Sequence, residues 1–340
     1  MSNRDVLSLL DNVHEQGDDS PKERRVLLID ALNLFFRNFT VIPAVNKDGA
    51  HIGGLGGFYR SLGAMIRQIE PTEVFIVWDG MGSSNNRKNI IPEYKSERNV
   101  SRVTNWEAFD SHSDEDDSKV DQLVRIIQYQ STLPVRSLSI DKVEADDIIA
   151  YLSDTLPNSP DDKMFIVSSD KDFLQLVSDQ VIVYSPIIKQ YYTPSVVEEK
   201  FGLPPHNFIL YKALLGDASD KIPGIKGLGV KKLYKLFPEL KGDKIELSDI
   251  LSLSESRLKD HVIYARILSD PEALEKRYKV MDLSKPMMDK SDKEYIDHYV
   301  DSFVPEFHPK QFVQLYEQDG LGNLIRNVNL WLKERFENLI

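Results

Sequence analysis

Three aspartates each close a short apolar run. Asp30 follows VLLI, Asp79 follows VFIVW and Asp170 follows FIVSS. In open parallel sheets ligands gather outside the carboxyl ends of the strands, so these three side chains are expected to converge on one crevice. Asp172, two residues beyond Asp170, can point the same way from an extended chain. Glu144, Asp146 and Asp147 open the apolar stretch VEADDIIAYL, and Asp217 and Asp220 stand in GDASD. Any one of these acids is an ordinary cap or turn residue. All nine in one crevice would repel one another and rise in pKa unless cations neutralised them. Clustered hard oxygen ligands suit Mg²⁺, with Mn²⁺ as a substitute. Two such ions about 4 Å apart are a general device for hydrolysing phosphodiesters. The seven histidines are scattered without an HExxH pair, which argues against a zinc hydrolase.

A second kind of chemistry lies in LLGDASDKIPGIKGLGVKKLYKLF, Leu214 to Phe237. Lys221, Lys226, Lys231, Lys232 and Lys235 carry positive charge there, and no acid falls between the first and the last. Gly227 and Gly229 precede a helix expected near Val230, and allow a tight hairpin whose backbone N–H groups can approach a phosphate. The segment reads as a sequence-independent phosphate clamp. A third cationic stretch, Arg87, Lys88, Lys95, Arg98 and Arg102, is opposed only by Glu93 and Glu97 and follows the Asp79 run directly. By contrast GGLGG, Gly53–Gly57, follows no clear strand and has neither GxGxxG nor Walker spacing, so it carries no nucleotide site.

The elements needed to position these groups are legible in outline. Val26–Asp30, Val74–Asp79, Phe165–Ser169 and Val181–Tyr184 read as buried strands, and Val135–Ile140 as a weaker one. Strands alternating with helices imply a mainly parallel sheet covered on both faces. A helix is expected over Gly57–Ile69. Another starts near Ser118, with Val120, Leu123, Val124 and Ile127 on its apolar face. Residues 87–118 lack periodicity and read as a long excursion. From about Thr193 onward the pattern is helical. A last stripe of Leu324, Val328, Leu332 and Leu339 is expected to pack in a core, or else to dock a replication partner. The expected organisation is a polar extension over residues 1–24, an α/β domain over 25–192 and a helical domain over 193–340, with the clamp at 214–237.

The net charge of −12 sits oddly beside a phosphate clamp. It is local, however. Removing the nine candidate ligands and the acidic run Glu107–Asp121 leaves a net positive remainder, so a basic binding face stays open. The chain has no cysteine, which excludes disulfides and thiolate metal sites. No signal-peptide pattern or membrane-length apolar run is seen, and a cytoplasmic location without membrane partners is expected.

Taken in order, LIDALNLF, VWDG, PEYKSER (Pro92–Arg98), EADD, SSDKDFLQL and GDASDKIPGIKGLG resemble the 5′-nuclease superfamily, which includes flap endonucleases, the 5′–3′ exonuclease domain of bacterial DNA polymerase I and phage ribonuclease H. The resemblance covers about Val26 to Leu236. RYKVMDL (Arg277–Leu283) and the pair Trp106-Glu107 are similar to phage ribonuclease H of the T4 type. The resemblance implies a PIN-like α/β fold with a helical arch, a helix–three-turn–helix and a smaller helical C-terminal region. It implies Asp30, Asp79, Glu144, Asp146, Asp147 and Asp170 around a first metal ion, and Asp172, Asp217 and Asp220 around a second. It also implies a K⁺ ion on carbonyls around Ile222–Leu228. Tyr94, Lys95 and Arg98 match the arch motif: Lys95 would place its ammonium on the scissile phosphate and Tyr94 would stack on a base. Arg87, Lys88, Lys226, Gly227, Gly229, Lys231 and Lys232 would contact DNA. The implied substrate is duplex DNA or an RNA–DNA hybrid with a 5′ end or flap, cut during primer or flap removal. A single-strand-binding protein or clamp is the implied partner. Two departures stand out. Lys221 takes the place of a frequent Asn, and the acidic Asp114–Asp117 run is either a helix cap or a solvent-facing insertion. The alternatives are a PIN-domain ribonuclease acting on RNA alone, which would not need the lysine hairpin, and a non-catalytic DNA-binding scaffold, which would have lost several of the acids.

Overall fold

The computed structural model describes residues 23–96, 105 and 108–340. Of the expected N-terminal extension only Glu23 and Arg24 are described, and Arg98, Arg102, Trp106 and Glu107 lie outside the described residues. Six strands form one sheet: β1 (Arg25–Asp30), β2 (Glu73–Val77), β3 (Arg136–Leu138), β4 (Lys163–Val167), β5 (Val181–Ser185) and β6 (Gln190–Tyr192). Their spatial order is β3-β2-β1-β4-β5-β6, all parallel except the edge strand β6. β1 is central and wholly buried, as expected of an unbroken apolar run covered on both faces. Leu27 and Ile29 enter one core, Val26 and Leu28 the other, by the two-residue period of a strand.

On the first face lie α1 (Ala31–Val41), α2 (Gly53–Ile69) and α3 (His112–Gln130). On the second lie α4 (Ala145–Thr155) and α5 (Pro194–Phe201). Then come α6 (Phe208–Leu215), α7 (Val230–Leu236), α8 (Leu247–Ser256), α9 (Val262–Ser269), α10 (Pro271–Met281), α11 (Lys290–Ser302), α12 (Pro309–Gln318) and α13 (Val328–Phe336). The segments from α6 to α10 build a third core around Phe237, Ile250 and Leu274. The last helices return to the first: Phe312, Leu332, Phe336 and Leu339 are buried in the same cluster as Leu27 and Ile29. The residues after 193 therefore serve more than one core; of the C-terminal stripe Leu332 and Leu339 are buried in the first, while Leu324 and Val328 are only partly buried against it.

The structure corrects three local expectations. The Gly-rich stretch is the first turn of α2, which begins at Gly53 and not at Gly57. Its glycines are packing surfaces: a Cβ on Gly54 would lie 2.6 Å from the Phe35 ring, one on Gly57 2.5 Å from Ile42, and one on Gly56 2.3 Å from Leu324. Helix α3 starts at His112, six residues before the expected point, with the Ser111 hydroxyl accepting the Asp114 N–H at 3.2 Å. The acidic run is thus the first turns of a helix, where carboxylates are favoured by the helix dipole. The residues of α3 expected to face the core do not all do so. Val120, Val124 and Ile127 are exposed, whereas Gln122, Ile126 and Tyr129 are buried. Gln122 can be buried because its amide is spent on the Leu55 N–H and on His51.

Candidate active site

The carboxyl ends of β1, β2 and β4 deliver Asp30, Asp79 and Asp170 to one cavity of about 690 Å³, which Asp146 and Lys95 also line. Each aspartate holds local structure, and Asp30 does so with both oxygens, its second accepting the Ser168 hydroxyl at 2.9 Å. Asp30 caps α1 by accepting the Asn33 N–H at 3.1 Å, and Asp170 accepts the Asp172 N–H at 2.8 Å. Asp79 reaches across to the Ala145 N–H at 2.7 Å, tying the end of β2 to the first turn of α4. The cap reading and the site reading therefore hold together, because a carboxylate has lone pairs beyond those a cap uses.

The electrostatics of this group are unfavourable without a cation. Burial pushes the Asp30 carboxyl up to about 7, against hydrogen bonds from Asn33 and Ser168 that lower it, and Asp79 and Asp170 push it further. Burial also raises Asp146 well above the carboxylate range, with Lys95 opposing, and Asp79 is raised by burial too. Carboxyls driven toward neutrality at the mouth of a cavity are the state a bound divalent cation reverses.

Lys95 stands at the centre of this geometry. Its ammonium donates to Glu144 Oε2 at 2.9 Å, and its backbone N–H donates to the Asp220 carbonyl at 3.0 Å. Burial would lower the Lys95 pKa, but Asp146, Glu144 and Asp220 raise it, so it is a cation beside the aspartates. The backbone and ammonium of Lys95 are thus both docked on the site. Tyr94 is 3 % exposed and its hydroxyl donates to Glu144 Oε2 at 3.0 Å. The expectation that Tyr94 stacks on a base is corrected: its ring lies in a core and supports Glu144.

Two further assignments change. Arg87, expected on DNA, is 3 % exposed and grips Asp147 with both guanidinium ends, at 2.6 and 3.0 Å, while lying 3.2 Å from Glu144. Asp147, expected among the ligands of the first metal, also accepts the Met287 N–H at 2.9 Å, so its oxygens are committed to the interior. A helix turns about 100° per residue, so neighbours in EADD cannot face one place. Asp146 faces the cavity and Asp147 faces the core. Glu144 lies between them, lowered by Arg87 and Lys95 against the effect of burial, with Oε1 buried and without a hydrogen-bond partner.

The second acidic group is separate. One oxygen each of Asp172, Asp217 and Asp220 lie within 4.8 Å of one another, a spacing that fits a divalent cation. Lys212 of α6 is the residue sequence reasoning missed. Its ammonium contacts Asp172 and lies 2.6 Å from Asp217. Burial would raise Asp217, but Lys212 and Ser219 bring it down to about 2. The signal available in sequence was a lone lysine inside the apolar helix FILYKALL, one turn before GD.

The two-stranded hairpin lies upstream of the glycines expected to form it: Gly216–Asp217 pairs with Ile222–Pro223, whereas Gly227 and Gly229 only lead into α7. Gly216 and Gly224 cross so closely that a Cβ on either would meet backbone of the other strand within 2.3 Å. Lys221 has φ of 60°, the left-handed region that suits Asn better, which gives the departure from the family pattern a backbone cost. Lys226, Gly227, Gly229, Lys231 and Lys232 are exposed on one loop–helix corner, and Lys88 is exposed elsewhere. Arg266 of α9, not foreseen, braces the loop by donating to the Lys226 carbonyl at 2.6 Å. No described helix is long and apolar enough to cross a membrane.

Residues 25–202 match the family model described as the 5′-3′ exonuclease N-terminal resolvase-like domain. The chain is 32% identical over 224 residues to a 5′-3′ exonuclease of Bacillus subtilis, covering 63% of this chain and 70% of that one. It is 31% identical over 252 residues to DNA polymerase I of Lactococcus lactis, covering 71% of this chain but only 27% of the polymerase. Among solved structures, the D15 protein of phage T5 co-crystallised with metal ions superposes with a TM-score of 0.61 at 19% identity, covering 93% of this chain and all of that one. The catalytic core of Rad2 in complex with a DNA substrate gives a TM-score of 0.55 at 16% identity, covering 94% and 93% of the two chains. These likenesses are of fold.

Proposed function

The chain belongs to the 5′-3′ exonuclease family, and we propose that it is a structure-specific 5′ nuclease that hydrolyses phosphodiesters near the 5′ end of a duplex or RNA–DNA hybrid, with Mg²⁺, in the removal of primers or flaps. The observation that carries this reading is the single cavity shared by four aspartates, with Lys95 and Arg37 also in its lining. Asp30, Asp79, Asp146 and Asp170 would hold one divalent ion, with Glu144 behind them. Asp172, Asp217 and Asp220 would hold a second. The ions, when bound, would supply charge neutralisation and an activated water.

The chain's own residues do the rest. Lys95 presents a cation where the negative charge of the reacting phosphate grows, and its anchorage to Glu144 fixes it before substrate arrives. The exposed lysines of the hairpin hold the duplex by its phosphates, without regard to sequence. Carbonyls of Ile222–Leu228 are the proposed K⁺ seat. The Mg²⁺ preference, the use of two ions, ribonuclease H activity and any single-strand-binding or clamp partner belong to this proposal. Similarity to DNA polymerase I is confined to about a quarter of that protein, so no polymerase activity is inferred.

The test is cleavage of labelled substrates by the purified chain with Mg²⁺, Mn²⁺, Ca²⁺ or EDTA. A 5′-flap duplex and a 5′-recessed RNA–DNA hybrid should be cut with Mg²⁺ or Mn²⁺ and not with EDTA. Cleavage of single-stranded RNA alone, with both duplexes intact, would favour the PIN-domain ribonuclease instead. Duplex binding without cleavage under any metal would favour a scaffold.

A further inference from the structure

A groove of about 420 Å³ runs between α2 and the C-terminal segment, and shares no lining residue with the catalytic cavity. Arg60 and Arg67 rise from α2, two helical turns apart, and Arg326 and Arg335 face them from the C-terminal side. Between the first two lie Gly63 and Ala64, so the floor is low. The Trp331 indole packs onto Gly63, where a Cβ would lie 2.3 Å from Nε1. Leu324 and Ile325 complete an apolar base.

This cluster is unusual for its chain. The protein carries a net charge of −12, yet Arg60, Arg67 and Arg326 make no ion pair among the described residues. Arg335 pairs only with its own neighbour Glu334, at 3.2 Å. Guanidinium groups held together without counter-charges repel one another, and a complementary anion relieves that cost. Arginine forks match carboxylates in two-pronged fashion.

The base of the groove selects among anions. A sugar–phosphate backbone gains nothing from a floor of Leu324 and Ile325. Stacking of a nucleobase on Trp331 is also disfavoured, because that ring already packs against Phe312 and Phe336, with centroids 5.6 and 5.2 Å away. An acidic peptide that also carries a large apolar side chain would use both parts. We propose that this groove is a docking site for such a peptide segment of a partner protein, with its carboxylates on the four arginines and its apolar side chain against Leu324 and the edge of Trp331. The groove shares no lining residue with the catalytic cavity, so a partner held there leaves the nuclease centre untouched.

The experiment uses the full chain and a fluorescein-labelled octapeptide of Asp and Glu ending in Phe, read by anisotropy at low salt. Arg60→Glu with Arg326→Glu should weaken binding at least about tenfold, the scale of one lost charge-assisted hydrogen bond. The same peptide ending in Asp should bind several-fold more weakly than the one ending in Phe. Cleavage of a 5′-flap duplex should be unchanged in the variant. Should the double reversal disturb folding, Arg60→Gln with Arg326→Gln gives the same direction of change at exposed positions. An affinity that ignores these substitutions overturns the proposal. So does an oligothymidylate of equal charge that binds as tightly as the Phe-ended peptide and loses affinity in parallel, since that result marks a nucleic-acid groove.

Discussion

Burial pushes Asp30 up to about 7, while Asp217, in the neighbouring group, is brought down to about 2. Both are partly or wholly removed from solvent and both stand among other acids. They differ in what neutralises them. Asp217 has an internal cation, Lys212, 2.6 Å away on a helix of the same core. The Asp30 group has Lys95 nearby, but that ammonium is hydrogen-bonded to Glu144 and not to Asp30, Asp79 or Asp170. One group is therefore partly neutralised before any ion binds, whereas the other depends more on a cation from outside. A carboxylate cluster with its own lysine is assembled in advance; one without it spends folding stability to be ready for a ligand.

The largest expected effect separates Asp170 from Asp147. Asp170→Asn should lower single-turnover cleavage at least about a thousandfold, several kcal/mol of transition-state stabilisation, with the melting temperature kept or raised. Asp147→Asn should instead strand the buried Arg87 and cost about 3–5 kcal/mol of stability in denaturant unfolding. Equal melting temperatures for the two variants would place both acids in the same role and break the distinction.

Lys95→Ala should reduce single-turnover cleavage by about two to three orders of magnitude, with little change in duplex affinity. Normal cleavage at saturating enzyme would make the base of the arch a tether only.

Lys212→Met tests the internal cation directly. Without it the Asp172, Asp217 and Asp220 group should come to resemble the Asp30 group. Metal-free stability should fall by about 3 kcal/mol, and millimolar Mn²⁺ should restore a large part of it. A variant as stable as wild type without metal would show that Lys212 does not carry the group.

The pH dependence has opposite signs at the two places. Asp30 is raised from 3.8 to about 7, so its contribution to stability is full below pH 3.8 and is lost as the pH rises through about 7. Asp217 is lowered from 3.8 to about 2, so its contribution is full above pH 3.8 and is lost as the pH falls through about 2. In EDTA the melting temperature should therefore decline between pH 5 and 8, and Asp30→Asn should flatten that decline. A slope in EDTA identical to that in saturating Mg²⁺ would contradict it.

The smallest effect is at the hairpin. Lys231→Ala with Lys232→Ala should weaken duplex binding for all sequences alike, and reduce the slope of log affinity against log salt by roughly one to two. An unchanged slope would remove these lysines from the phosphate contacts.

Much of this molecule was decided by local sequence. Unbroken apolar runs ending in Asp30, Asp79 and Asp170 can be little else than buried parallel strands with acids at their carboxyl ends, because only burial on both faces tolerates such runs. The glycines and lysines of Leu214–Phe237 marked a tight, basic corner, and the left-handed turn at Gly227 bears this out, but the strand crossing falls at Gly216 and Gly224. What sequence did not decide was direction. Asp146 and Asp147 are adjacent and chemically identical, yet one faces the cavity and the other Arg87. The apolar stripe of α3 was read onto the wrong face, because a buried Gln122 with satisfied hydrogen bonds outcompeted Val120 and Val124 for the interior. GGLGG had no meaning until Leu324 and Phe35 were seen to press on it. In each case the pattern along the chain fixes the type of element, whereas the rotation of that element about its axis is set by partners tens to hundreds of residues away. Lys212, Arg87 and the arginines of the groove acquire their roles only through that packing.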